Sequence, residues 1–233
     1  MAPHKDSGDL NRRIVLAGLG ASVAGAIAVP GVAAEAMPAC VLTPVTSEGP
    51  FYFDPKLVRA DITENRPGVR LALAIRVVTA GNCAPLAGAR VDVWHADAHG
   101  VYSGYENQQG TEDGTEKLAA GKTFLRGTQF ADRDGRATFQ TVYPSWYRGR
   151  TPHIHFKILL GQDEVAVSQL YFPDEINKQV FERAAPYREH YKDRDTFNTG
   201  DMFLRGRVGG AFCDVSQTGA AWRASVVIGI NKS

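Results

Sequence analysis

The sequence predicts an all-β fold, an antiparallel β-sandwich with one short helix and long loops. Three observations carry that reading. Apolar residues recur with period two in several short runs, the spacing of a strand with one buried face. The 24 glycines and 12 prolines break the chain into many turns, which suits a sheet protein better than a helical bundle. Only residues 174–191 have helical character, with Asp174 as N-cap and Pro186 limiting the length. A chain of 233 residues with 44% hydrophobic content is long enough to enclose one substantial core. Lys and Arg number 26 against 25 Asp and Glu, a net charge of +1. That balance carries no basic field for nucleic acid.

Residues 1–36 read as an export signal. Arg12 and Arg13 precede an uncharged, Ala- and Gly-rich run at residues 14–29, and small residues follow with candidate cleavage sites at VAA (32–34) and AEA (34–36). Paired arginines ahead of a weakly apolar run are the twin-arginine layout, although Asn11 stands where Ser or Thr is usual. The run falls short of the roughly 20 residues needed to cross a bilayer, so no membrane span is expected in the mature protein. Residues 37–233 then form a single domain. Its cysteines are Cys40, Cys83 and Cys213, of which two can pair in an oxidising compartment. Spacing leaves the connectivity open; the expected pair is Cys40 with Cys83, leaving Cys213 a free thiol.

In chain order, TPVTSEGPFYFDP (43–55) is a turn-rich, aromatic lead-in. RLALAIRVVT (70–79) alternates and is β-branched, so it is predicted as a strand, followed by a turn at residues 80–85. GARVDVWHA (88–96) alternates again, with Val91, Val93 and His95 on one face and Arg90, Asp92 and Trp94 on the other. Residues 106–122 are polar and Gly-interrupted, a surface excursion. Strands are predicted at 125–131 and 136–142, joined by DRDG (132–135), a hairpin-turn signal. Further strands are expected at 164–172, around 202–208 and at 224–230.

The chemistry concentrates in YPSWYRGRTPHIHFK (143–157). In an extended strand, residues i and i+2 share a face about 6.5–7 Å apart. His153 and His155 can therefore reach one metal ion while Ile154 and Phe156 point into an apolar layer. Tyr147 and Arg150 precede them at three-residue intervals, Tyr102 follows the strand at 88–96, and Gln169 sits on the strand at 164–172. Tyr143 competes with Tyr147 as a ligand. His4, His95, His99 and His190 have no comparable context and are read as non-ligands.

With these residues aligned, the chain resembles the intradiol ring-cleavage dioxygenases, nearest to the shorter, protocatechuate-type core. The likeness runs from TSEGPFYF through PLAGARVDVWHADAHGVYSGY and FQTVYPSWYRGRTPHIHF to VSQLYF. It implies a β-sandwich holding non-haem Fe(III) through Tyr102, Tyr147, His153 and His155. Arg150 and Gln169 fall on the family's active-site positions, and Tyr147 is implied to leave the metal and take a catechol proton. The implied reaction opens a catechol-type substrate with O2 to a cis,cis-muconate-type dicarboxylic acid. A homo-oligomer is compatible with this reading. Two other readings compete. PLAGARVDV also resembles transthyretin-like accessory domains, which suggests a non-catalytic β-sandwich binding module. A zinc hydrolase using the two histidines would need a further His or carboxylate.

Overall fold

Alternation of side chains sorts the strands into two facing layers. The computed structural model describes residues 40–106, 108, 119–205 and 210–231. Residues 1–36, read above as an export signal, lie outside that set, as do residues 107 and 109–118 of the polar excursion. The elements are β1 (Arg70–Thr79), β2 (Arg90–Trp94), β3 (Arg126–Phe130), β4 (Arg136–Val142), β5 (His153–Leu160), β6 (Asp163–Tyr171), α1 (Asp174–Arg183), α2 (Tyr187–Tyr191), β7 (Ala211–Phe212), β8 (Asp214–Thr218) and β9 (Ala221–Ile230). One sheet has the order β4-β1-β9-β8 and the other β3-β2-β5-β6-β7. No described helix is long and apolar enough to cross a membrane.

The core lies between the sheets. Leu71, Leu73, Ile75 and Val77 of β1 and Ala224, Val226 and Ile228 of β9 face Val91, Val93, Ile154, Phe156 and Ile158 of the second sheet. All are buried, and burying a side chain of this size stabilises the fold by about 1.5–3 kcal/mol. The intervening residues of β2, β5 and β6 point away from this core. Cross-strand register then places Arg126, Trp94, His155 and Gln169 side by side on one rung. That outer face of the second sheet carries the chemistry.

Several expectations need correction. DRDG does form a tight turn, with the Asp132 carboxylate accepting from the amides of Asp134 and Arg136 at 2.9 Å. The strands it joins do not pair as a hairpin, because they enter different sheets. Before the turn, the amide of Ala131 donates to the Ala89 carbonyl; after it, Val77 of β1 donates to the Gly135 carbonyl. The sandwich is also not wholly antiparallel, since β1 pairs with β9 and β6 with β7 in parallel.

The predicted helix is two helices. α1 ends at Arg183, and Pro186, which lacks an N–H to continue the ladder, precedes α2. Pro173, and not Asp174, is the N-cap. The Asp174 carboxylate is used elsewhere, by Arg194 at 2.7 Å and the Asn198 amide at 3.0 Å. The strand expected around 202–208 is absent over 202–205, where successive turns fold back on Asp201; residues 206–209 lie outside the described set. The short strands β7 and β8 were not anticipated.

Cys40 and Cys83 form a disulfide, and Cys213 is free and buried. Burial pushes the Cys213 thiol up to about 12. The disulfide pins the lead-in beside the turn at 80–85, where the Gly81 amide also donates to the Cys40 carbonyl. Because it closes a loop with a sequence separation of 43 residues, replacing both cysteines by Ser is expected to lower the unfolding free energy by about 2–4 kcal/mol. Urea unfolding under non-reducing conditions measures this. An unchanged midpoint would contradict it.

Candidate metal centre

Strand β5 delivers the two imidazoles. His153 and His155 are almost fully buried, and their Nε2 atoms lie 3.1 Å apart. Tyr102 reaches them from the loop after β2 and Tyr147 from the turn before β5. Their phenol oxygens lie 3.3 and 3.4 Å from His153 Nε2. Gly100 permits the approach of the two loops. It has φ +83°, and a Cβ there would stand 2.6 Å from the Trp146 carbonyl oxygen.

Hydrogen bonding alone does not satisfy this cluster. His153 Nδ1 donates to the Thr151 carbonyl at 2.7 Å, and burial, with Arg150 next, pushes its pKa well below the ordinary value. The neutral ring therefore presents one unprotonated nitrogen, with a single in-plane lone pair, to three polar neighbours. One lone pair cannot engage two hydroxyls and a second ring nitrogen in good geometry at once. A cation among the four atoms resolves the conflict. Two phenols and two imidazoles suit a ferric ion, because anionic oxygen donors favour the hard trivalent state and imidazole is an ordinary iron ligand. Among the described residues no group of three or more His, Cys, Asp or Glu gathers around a metal-sized space.

The donors differ in access. Burial pushes the Tyr102 phenol well above its ordinary range and raises Tyr147 too, against which Arg150 works. A cavity of about 590 Å³ opens onto Tyr147, His155 and Arg150 and is walled by Phe51, Pro50 and Phe203. Tyr102 does not line it and stacks on Phe51 at 4.6 Å. Trp94 lies parallel to His155, centroids 4.9 Å apart, and fixes that ring by contact, since its buried Nδ1 has no hydrogen-bond partner.

Tyr143, the rival of Tyr147, is committed elsewhere. Its hydroxyl donates to Asn177 at 2.7 Å and its ring packs on Phe172. His95 is likewise occupied, donating from Nδ1 to the Ala96 carbonyl at 2.8 Å and accepting at Nε2 from Thr141 at 2.7 Å. His190 stacks on Trp146. His99 lies in the turn after β2, where its amide donates to Asp97. His4 lies outside the described residues.

Arg150 and Gln169 meet in the structure. Arg150 donates to the Gln169 side-chain oxygen, to Tyr147 Oη at 3.3 Å and, through Nε, to Asp201 at 2.9 Å. Tyr171 adds a bond to the same Gln169 oxygen at 2.7 Å. Asp201 was not anticipated, because it stands far from any motif. It is fully buried and also accepts from the amides of Thr151 and Phe203 at 3.0 and 2.9 Å. Phe203 covers the Arg150 guanidinium at 4.5 Å.

A family model described as Dioxygenase matches residues 44–185. The chain belongs to the intradiol ring-cleavage dioxygenase family. The structure of an intradiol ring-cleavage dioxygenase from Tetranychus urticae is 29% identical with a TM-score of 0.71, covering 82% of this chain and 95% of that one. The dioxygenase domain of a carbohydrate-binding fusion from Streptomyces sp. SirexAA-E is 26% identical with a TM-score of 0.53, over 82% and 99%. Chlorocatechol 1,2-dioxygenase of Pseudomonas sp. (strain P51) is 29% identical over a segment spanning 38% of each protein. The matched segment is thus well under half of that curated relative's length.

Two outcomes follow. Asp201→Asn strips a buried guanidinium of its counter-charge and is expected to cost about 3–5 kcal/mol of stability. Adding Arg150→Met should recover much of that loss in urea unfolding, and independent, additive losses would contradict the pairing. Burial pushes His95 down to about 4, whereas an unfolded imidazole ionises near about 6.5. Between those values the unfolded chain holds the extra proton. Stability from neutral His95 is therefore complete above about pH 6.5 and is lost as pH falls to about 4. In metal-free protein His153 and His155 act in the same direction. His95→Gln should therefore flatten part of the slope between pH 7 and 5, and an unchanged slope would contradict it.

Proposed function

We propose that the protein is a non-haem Fe(III)-dependent intradiol dioxygenase. It would open a catechol-type aromatic with O2 to a cis,cis-muconate-type dicarboxylic acid. The observation that carries this reading is the convergence of two phenols and two imidazoles around one unprotonated nitrogen, beside a cavity that reaches only part of the set. In the balanced reaction the carbon–carbon bond between the two hydroxyl-bearing carbons breaks and both oxygen atoms enter the product.

Tyr102, Tyr147, His153 and His155 would hold the ion. Bound Fe(III) supplies Lewis acidity, which favours the ionised catechol and draws charge from its ring. Tyr147 faces the cavity, so its phenolate is the one a substrate can reach and the one that can take a catechol proton at Oη. Arg150 Nη1, 3.3 Å away, remains as partner for that oxygen. The guanidinium is always charged and lies on the cavity wall, where it can stabilise negative charge developing on the ring. Gln169, Asp201 and Phe203 fix its plane. Tyr102 and His153 lie behind the cavity wall and serve as constant donors.

We also place the mature protein outside the cytoplasm. The paired Arg12 and Arg13 ahead of an apolar run support this, and so does the Cys40–Cys83 disulfide, a bond that persists in oxidising compartments.

The test is oxygen uptake by the iron-loaded protein with a panel of substituted catechols, followed by product mass under ¹⁸O2. A ring-opened diacid carrying both labelled atoms is expected. An extradiol semialdehyde, or binding of catechols without uptake as in a non-catalytic module, would contradict the proposal. Tyr147→Phe should keep iron with a weaker, shifted visible band and lose about 10²-fold in kcat, the usual scale for a proton-transfer group.

A further inference from the structure

Tyr102 is a deep donor on a loop, and its phenol is placed only as well as its backbone is held. The backbone on either side is tied to the fold. Asp97 brackets Val101, donating its amide to the Val101 carbonyl at 2.9 Å and accepting from the Val101 amide at 3.0 Å. Ser103 Oγ donates to the Phe124 carbonyl and the Gly104 amide to the Ala119 carbonyl, both at 2.7 Å. Between these ties, the amide and the carbonyl of Tyr102 are both taken by one side chain, that of Gln108. The Tyr102 N–H donates to Gln108 Oε1 at 2.6 Å. Gln108 Nε2 donates back to the Tyr102 carbonyl at 2.7 Å and to the Tyr105 carbonyl at 3.0 Å. This is the double exchange of a hydrogen-bonded pair in an antiparallel ladder, supplied by a side-chain amide where no neighbouring strand is present.

We infer that Gln108 is a positioning residue for the Tyr102 ligand, a role that rests on the ferric reading above. Phe51 stacks on the Tyr102 ring, a contact that limits tilt but allows the ring to slide. The bonds from Gln108 fix where the side chain starts. A small backbone rotation at residue 102 is magnified at Oη, the far end of a long rigid side chain. Tyr102 is buried, so its amide and carbonyl need partners. Gln108 itself is half-buried and lines the cavity, so water can replace its amide when it is removed. The metal-free fold then survives with a looser loop, and the ordering of Tyr102 becomes a cost met on metal binding. A protein whose competent form is only partly populated binds more weakly by that fraction.

The experiment compares the full chain with Gln108→Met, of similar length but without the amide, and Gln108→Asn, whose amide is one methylene too short. Substrate is left out, so the place of Gln108 on the cavity wall does not enter. Metal-free melting of Gln108→Met should stay within about 4 °C of the parent, the scale of one lost hydrogen bond in a domain of this size. Exchange of the Tyr102 amide, followed by NMR on the metal-free protein, should become at least about tenfold faster. Fe(III) affinity, measured by competition of ferric citrate with a chelator, should fall by about tenfold or more, the usual loss when a group that orients a metal ligand is removed. Gln108→Asn should fall with Gln108→Met. In a Tyr147→Phe background the remaining tyrosinate Raman modes belong to Tyr102, and Gln108→Met should shift or broaden them.

Fe(III) affinity equal to the parent's in either variant, or Tyr102 modes that do not move, would overturn the inference. A Gln108→Met chain that fails to fold, or that melts far lower without metal, would also overturn it, since Gln108 would then support the fold as a whole. Those outcomes are read with a parent that binds iron. A parent that binds none would sink the ferric reading and the ligand role of Tyr102 with it, whereas amide exchange at Tyr102 reports the bond to Gln108 with or without metal.

Discussion

His153 Nε2 has one lone pair and three polar neighbours within 3.4 Å, and the architecture around it follows from that crowding of polar atoms. The opposite ring nitrogen is tied to the Thr151 carbonyl, which fixes the tautomer and aims the free lone pair at the two phenols and the second imidazole. Such a cluster is unfavourable as a set of neutral hydrogen-bonding groups and becomes favourable once a cation lies among them. The enclosing groups are correspondingly rigid: Trp94 against His155, Phe51 against Tyr102, and Asp201 behind Arg150. Side chains locked by packing and buried bonds hold a constellation close to its working geometry.

The sandwich provides this through its period of two. On β5, Ile154 and Phe156 enter the core between the sheets, so His153 and His155 must leave it on the other side. A slip of one residue in register would exchange the two sets, which couples core burial to the placement of the two imidazoles. The rung across β3, β2, β5 and β6 then brings Arg126, Trp94 and Gln169 beside His155 without loop contributions. Loops supply the phenols, and one of them is the donor that faces the cavity. Tyr102 and His153 lie away from the cavity, whereas Tyr147 and His155 line it.

Much of this was legible in the sequence because it rests on local patterns. The strand at 70–79, the HIHF alternation and the intervals from Tyr147 to His155 are short-range facts, and the structure places these residues accordingly. The resemblance favoured Tyr147 over Tyr143, and in the structure Tyr143 is bonded to Asn177 of α1 while Tyr147 lies beside His153. What escaped was long-range. DRDG signals a turn, but nothing local says that Val77 will capture the chain leaving it and carry β4 to the opposite sheet. Asp201 stands just before the segment whose apolar residues suggested a strand, and Phe203 within that segment covers Arg150. Pro186 was legible as a limit on the helix, but not that the chain would resume as a second helix at Tyr187.

The most direct measurement of the central claim is a titration of the metal-free full chain with Fe(III), followed by visible absorption and resonance Raman spectroscopy. Two phenolates and two imidazoles on one ion should give a charge-transfer band that saturates at about one equivalent, with tyrosinate ring modes enhanced on excitation into it. A chain that takes up iron without that band, or develops no saturable band at all, would contradict the account.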